Sequence, residues 1–211
     1  PALINDWRQQ WNKQDLPFLF VQLANYGQEP DQPGASNWAE LREAQKLALN
    51  LPLTGMAVTI DIGEAEDIHP KNKAEVGRRL ALQALKQAYA LDTLCDGPTF
   101  ERLELAGSSA IIHFSDADSL ISTDKYGYIR GFAIAGADRR FHWAKASLHG
   151  GTVVVTSENV SDPVAVRYGW SNNPGPLDLY NEAGLPASPF RTDDWPVSTE
   201  EMRYDPLKSR F

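Results

Sequence analysis

The stretch EDIHPKNKAEVGRRLALQAL, residues 66–85, decides how this chain is read. Asn72 and Glu75 stand at capping-box spacing. Val76, Leu80, Ala84 and Ala88 then recur at the four-residue interval of one helix face. Just upstream, GMAVTIDIG (55–63) is an apolar run of the kind a strand buried on both faces requires. His69 therefore falls on a strand-to-helix connection, beyond the carboxyl end of a strand, where open α/β sheets bind ligands. Pro70 stiffens the exit from it.

Outward toward the N-terminus, LPFLFVQLANY (16–26) holds a second such run, predicting a buried strand over 18–23. The loop GQEPDQPGASN (27–37) follows, and then WAELREAQKLALN (38–50), with Trp38, Leu41, Ala44, Leu47 and Ala48 at helical spacing and Asn37 as N-cap. The opening PALINDWRQQW puts Leu3, Ile4, Trp7 and Trp11 on one face of an amphipathic helix. Helix, strand, helix, strand, helix over 1–94 predicts the C-terminal part of a doubly wound parallel α/β/α layer. The start has no Met and no signal-peptide pattern, so the expectation is a processed or cleaved C-terminal portion of a longer protein.

The texture changes at LDTLCDGPTF (91–100). FERLELAG, SAIIHFSD, GYIRGFAIAG, GTVVVTSE and PVAVRYGW are short alternating runs separated by Gly, Asp and Ser turns, which predicts an antiparallel β-sandwich over 95–196. NNPGPLDLYNEAGLPASPFRTDDWP reads as a segment wrapped over the domain surface and anchored by Leu179, Tyr180, Phe190 and Trp195. Residues 197–211 are expected to form a loosely held tail.

A length of 211 residues, 42% of them hydrophobic, suffices for one large domain or two small ones. A net charge of −8 argues against a nucleic-acid or anionic-membrane partner. No apolar run reaches the roughly 18 residues of a membrane span. The single cysteine, Cys95, rules out a disulfide framework or a thiolate metal site within the chain.

Two strand ends offer polar groups. The first presents Gln22, Asn25 and Tyr26; the second presents Asp61, Gly63, Glu64, Glu66, Asp67 and His69. A histidine flanked by carboxylates can take a proton from a hydroxyl at one ring nitrogen while the other donates to the acid. His69 could equally do no more than satisfy a backbone group in its loop. A metal site is poorly supported: His69, Asp67 and Glu66 have no second histidine at ligand spacing, and His113, His142 and His149 all lie in the β region. The glycines near 106–107 and 150–151 fall at hairpin turns and form no phosphate loop. Arg42 and Gln45, one turn apart, either border a pocket or form an outer helix surface. Trp38, Trp170, Tyr180 and Trp195 either stack on sugar rings or fill the core.

Taken together, PALINDWRQQW, LPFLFVQLANY, WAELREAQ, GMAVTIDIG, DIHPKNKAEVGRRLALQALKQAY, VAVRYGWSNNPG and LYNEAGLPASPFRTDDWP resemble the sialate O-acetylesterase family. These are SGNH-type carbohydrate esterases whose relatives include acetylxylan esterases. The resemblance runs from Pro1 to about Pro196. It implies an SGNH-hydrolase-like domain followed by a jelly-roll-like accessory module, and a serine attacking an acetyl ester. It also implies an oxyanion hole of a backbone N–H, a glycine and an asparagine, and a late histidine base matched by His69 in DIHP.

The nucleophile motif, close to QGESN, is absent from this sequence, so the N-terminal portion of the same protein is the expected partner that carries the serine. Ser108 and Ser109 in AGSSA, and Ser171 in YGWSNN, lack the strand-to-helix setting of a nucleophile elbow. The general pattern places the acid three residues before the histidine, which here is Glu66. Asp67 is favoured, with Asp61 second. Gln22, Asn25 and Arg42 are the expected substrate-binding residues. The resemblance implies no metal or organic cofactor, and a secreted, periplasmic or lysosomal location. The expected function is removal of O-acetyl groups from sialic acid, acetylated xylan or another glycan; the alternative is a non-catalytic carbohydrate-binding or structural module.

Overall fold

The computed structural model describes residues 1–115 and 120–202. Helix α1 (Ala2–Gln10) leads to strand β1 (Phe18–Val21). Helix α2 (Asn37–Lys46) and a 3-10 turn (Leu47–Asn50) cross over to strand β2 (Thr54–Ala57). The two strands pair in parallel, Phe18 opposite Thr54 and Val21 opposite Ala57. Helix α3 (Lys73–Gln87) packs on both.

The expected doubly wound α/β/α layer reduces here to this one parallel pair, and antiparallel pairing dominates the described residues. β1 is also shorter than the run that suggested it, and it is half-buried to exposed rather than enclosed. Among the described residues it pairs with β2 alone, and no second strand covers its other edge. The faces around it stay open as well: Leu3, Trp7, Trp11, Leu41 and Leu47 are all exposed. Helix α1 buries Ile4 and Arg8 rather than its tryptophans. The Arg8 guanidinium donates to the carbonyls of Leu16 (3.0 Å) and Pro52 (2.7 Å) and so ties α1 to the segments that enter β1 and β2.

Ser36, not Asn37, caps α2, its hydroxyl accepting the Ala39 N–H at 3.0 Å. Asn72 caps α3 as expected, its side chain accepting the Glu75 N–H at 3.2 Å. Glu75 does not close the box; it turns forward to Arg78 and Arg79. The buried face of α3 carries Arg79 and Gln83, flanked by the half-buried Val76, Leu80 and Ala84.

The remaining strands are β3 (Thr99–Ala106), β4 (Ser109–Ser115), β5 (Leu120–Ser122), β6 (Phe132–Ala135), β7 (Phe141–Trp143), β8 (Lys145–His149), β9 (Thr152–Thr156), β10 (Ala165–Tyr168), β11 (Leu179–Asn181) and β12 (Phe190–Arg191). They form two antiparallel four-stranded sheets, ordered β3-β4-β9-β8 and β12-β10-β6-β7, and a small β11-β5 pair. Alternation decides what each strand buries: Ala110 and Ile112 point inward from β4, Val153 and Val155 from β9. They meet Phe132, Ile134, Val166, Tyr168 and Phe190 of the other sheet in one core. Gly107, at φ +59°, makes the turn between β3 and β4 that a side chain would strain.

Several contacts cross the expected boundary at 94–95. Ile60, fully buried, joins the sandwich core. Gln83 Nε2 donates to the Cys95 carbonyl (3.0 Å) and to Asp96 Oδ1 (2.7 Å). The expected loose tail is also held at its start. Ser198 and Thr199 each give a backbone N–H and a hydroxyl to the Glu40 carboxylate, at 2.6–2.9 Å. Burial would raise the Glu40 pKa, but these four donors hold it below the ordinary value. Residues 203–211 lie outside the described part.

Candidate active site

The loop from β2 to α3 carries His69, and its anchors are spaced along its length. Thr59 donates its hydroxyl to the Gln22 carbonyl (2.6 Å). The Gly63 N–H donates to Asn25 Oδ1 (2.7 Å), and a Cβ on Gly63 would stand 2.1 Å from the Asn25 carbonyl oxygen, so only glycine fits. Gly27 N–H reaches the Ala65 carbonyl at 3.0 Å. Lys71 closes the loop on Glu64 through its backbone N–H (3.1 Å) and its ammonium (2.6 Å). The carboxyl ends of β1 and β2 are thus brought together.

At the rim of this loop the His69 side chain is 82% exposed. Its Nδ1 lies 3.4 Å from Asp67 Oδ1, and the same oxygen accepts the His69 backbone N–H at 2.8 Å. That backbone bond, ahead of the imidazole's own contribution, lowers the Asp67 pKa and keeps the carboxylate ionised. Nε2 has no partner among the described residues and is open to solvent. An imidazole with one nitrogen beside an acid and the other free is the geometry a general base needs.

The other expected acids are placed elsewhere. Asp61 faces inward, where Arg79 grips it with Nη1–Oδ1 at 2.6 Å and Nη2–Oδ2 at 2.8 Å, and Tyr180 donates its hydroxyl to Oδ2 at 3.2 Å. Both members of the Arg79–Asp61 pair are about 95% buried. Burial, then the Asp61 charge, pushes the Tyr180 hydroxyl well above its ordinary pKa, so it stays a donor. Glu66 is exposed.

The expected substrate-binding residues are engaged within the chain. Arg42 is fully buried, and its guanidinium donates to four carbonyls: Leu23 (2.8 Å), Ala24 (2.8 Å), Ser171 (2.6 Å) and Asn172 (2.9 Å). Burial lowers its pKa to about 9, which leaves it a cation at neutral pH. Gln22 is buried too, with Nε2 on the Arg42 carbonyl at 3.3 Å. Asn25 is half-buried and engaged at both ends, by Gly63 and by Asn173 Oδ1 (3.1 Å). All three brace the β1 exit rather than present free groups to a ligand. Gln45 does the same, accepting the Leu23 N–H at 3.0 Å.

Of the serines set aside on sequence grounds, Ser109 starts β4 after a hairpin turn and Ser171 is buried. Among the described residues no group of three or more His, Cys, Asp or Glu is placed to hold a metal ion, and no helix is long and apolar enough to cross a membrane.

What the sequence reading missed is polar. Arg79 and Gln83 follow Glu75 at four-residue spacing, in step with Val76, Leu80 and Ala84, and that in-register polar row was the available signal.

Fold and site together define a mixed α/β chain with an exposed His–Asp pair where two parallel strands end. The chain is similar over 92% of its length to the solved structure of a novel carbohydrate acetylesterase from Xanthomonas citri, at 48% identity and a TM-score of 0.85. It spans 45% of that protein's chain. Two matches to the bacterial S-layer protein SbsC reach TM-scores of only 0.30 and 0.31, at 17% and 15% identity. They cover 56% and 74% of this chain and 27% and 18% of those chains, and carry no argument. No family model and no curated protein matches the chain.

Proposed function

We propose that the chain is part of a carbohydrate O-acetylesterase, a serine hydrolase of the sialate O-acetylesterase type acting on acetylated sialic acid, xylan or a related glycan. The observation that carries this reading is the 48% identity to a carbohydrate acetylesterase across 92% of the chain. The open His69–Asp67 pair at the sheet rim supports it. His69 is the base and Asp67 its orienting acid.

The nucleophilic serine comes from a segment outside this chain, the N-terminal portion of the same protein. The uncovered edge of β1 and the exposed Trp7, Trp11, Leu41 and Leu47 fit such a neighbour. In the first half-reaction His69 Nε2 takes the serine proton as the oxygen attacks the acetyl carbonyl. The imidazolium gives that proton to the departing sugar oxygen as the acetyl C–O bond breaks, leaving an acetyl-serine and a sugar hydroxyl. In the second, His69 takes a proton from water, hydroxide attacks the ester, and acetate leaves as the serine is reprotonated. A location outside the cytoplasm belongs to the same reading.

The deciding experiment assays the complete protein on 4-nitrophenyl acetate and on acetylated glycans, with and without His69→Ala. Acetate release lost in the variant, with folding intact, supports the reading; near-wild-type turnover in His69→Ala removes it.

A further inference from the structure

A cleft of about 630 Å³ opens between loop 32–35, the hairpin leading from β6 into β7, and residues 195–197, and it shares no lining residue with the His69 loop. Its aromatic lining comes from Phe141, Trp170 and Trp195, and its charged lining is dominated by Arg139, Arg140 and Arg167.

The state of these charges is what defines the cleft. Arg167 is already neutralised by Asp193, through Nε–Oδ2 at 2.9 Å and Nη2–Oδ1 at 2.8 Å. Arg191 adds to that carboxylate at 3.5 Å, and its Nε is paired with Glu43 at 2.9 Å. Glu40, which also lines the cleft, is saturated by the four donors of Ser198 and Thr199. Asp138 accepts the Arg140 backbone N–H at 3.1 Å.

Arg139 and Arg140, by contrast, have exposed side chains with no carboxylate partner among the described residues. The Arg139 guanidinium rests over the Trp195 ring at 5.4 Å, and Trp195 packs against Phe141 at 5.5 Å. The indole N–H groups of Trp170 and Trp195 find no acceptor among the described residues. In a chain of net charge −8, this cleft thus carries two guanidiniums without a carboxylate partner among the described residues, while Glu40 and Asp193 are held by other donors. Trp170 is buried beneath Arg167 and Arg191, at 5.1 and 5.5 Å, and Phe141 lies under Arg167 at 4.1 Å, so the half-buried Trp195 is the ring that can take the C–H face of a pyranose, beside two guanidiniums without a carboxylate partner that match a carboxylate.

We propose that this cleft is a glycan-binding subsite for a sugar residue that bears a carboxylate, separate from the His69 rim. The site does not depend on the esterase reading, since none of its residues takes part in that chemistry.

The test is calorimetric titration of the complete protein with xylotriose substituted by glucuronic acid, and with xylotriose alone as the neutral control. The acidic sugar binds at least tenfold more tightly than the neutral one. Arg139→Ala/Arg140→Ala weakens the acidic sugar at least tenfold and brings it to the neutral level, Trp195→Ala weakens both sugars, and His69→Ala changes neither. Turnover of 4-nitrophenyl acetate in Arg139→Ala/Arg140→Ala stays at the wild-type level, which separates this site from the reaction centre. No binding by the wild type, equal affinity for the two sugars, or undiminished binding by the double arginine variant overturns the proposal. Loss of turnover in His69→Ala with binding intact, or its retention, bears only on the esterase reading.

Discussion

Arg79 holds Asp61 in a two-pronged ion pair, 2.6 and 2.8 Å long, that both side chains make out of reach of solvent. The pair fastens the start of α3 to the end of β2. Asp61, at the strand end, is thereby engaged by Arg79. The same guanidinium donates a third bond, Nε to Glu75 Oε1 at 2.7 Å, and a fourth, Nη1 to the Val58 carbonyl at 2.6 Å.

Removing the cation leaves Asp61 buried and uncompensated. Arg79→Met is expected to lower stability by about 3–5 kcal/mol, the usual consequence of breaking one side of a buried pair. Asp61→Asn is expected to be milder, since Arg79 keeps Glu75. Urea denaturation of both variants measures the order; equal losses would contradict it.

His69 makes no contact that folding needs, its side chain being 82% exposed. His69→Ala is therefore expected to leave the melting temperature unchanged while turnover of 4-nitrophenyl acetate by the complete protein falls by about 10²–10⁴, the range for a lost general base. Thermal melts and steady-state kinetics on one preparation check both halves.

Asp67→Asn keeps an oxygen that can accept the His69 N–H but loses the charge beside Nδ1. Its turnover is expected to fall less than that of His69→Ala, because an acid 43% exposed is screened by water. A loss as deep as that of His69→Ala would show that the acid does more than orient the ring.

Glu75 supplies the pH dependence. Hydrogen bonds from Arg78, with help from Arg79 and against some desolvation, bring its pKa down from the ordinary carboxylate range to about 2. A depressed carboxylate stabilises the fold fully above its unfolded pKa and loses that contribution as pH falls through the folded value. In that window the unfolded chain binds more protons. Melting temperature is thus expected to fall between about pH 5 and pH 2. Glu75→Gln should flatten that limb, lowering stability at pH 7 more than at pH 2; a parallel fall in both proteins would refute the assignment.

Glu40→Gln tests the last described segment. The amide keeps one acceptor oxygen, so the backbone N–H and hydroxyl of either Ser198 or Thr199 lose theirs and face an NH2 donor instead. Limited proteolysis is expected to cut near 197–202 sooner than in the wild type, with the core fragment intact.

Much of the architecture was legible in the residues. Alternation gave β3, β4, β6, β9 and β10, and capping gave the start of α3, because period and cap chemistry are local. The short strands β5, β7, β11 and β12 were not legible: three residues or fewer carry too little periodicity to stand out. The second face of β1 was misread for a related reason. An apolar run shows that a strand can be enclosed, but not which segment encloses it.

The sequence by itself determined that His69, Asp67 and Pro70 share one strand-to-helix connection, because they are neighbours along the chain. Only the tertiary structure decided which polar groups serve the fold. Asp61 went to Arg79, Arg42 to four carbonyls and Glu40 to Ser198 and Thr199, each across 18 residues or more of sequence. The physical reason is that a buried charge takes whatever partner packing brings within hydrogen-bond reach, and packing depends on the whole chain.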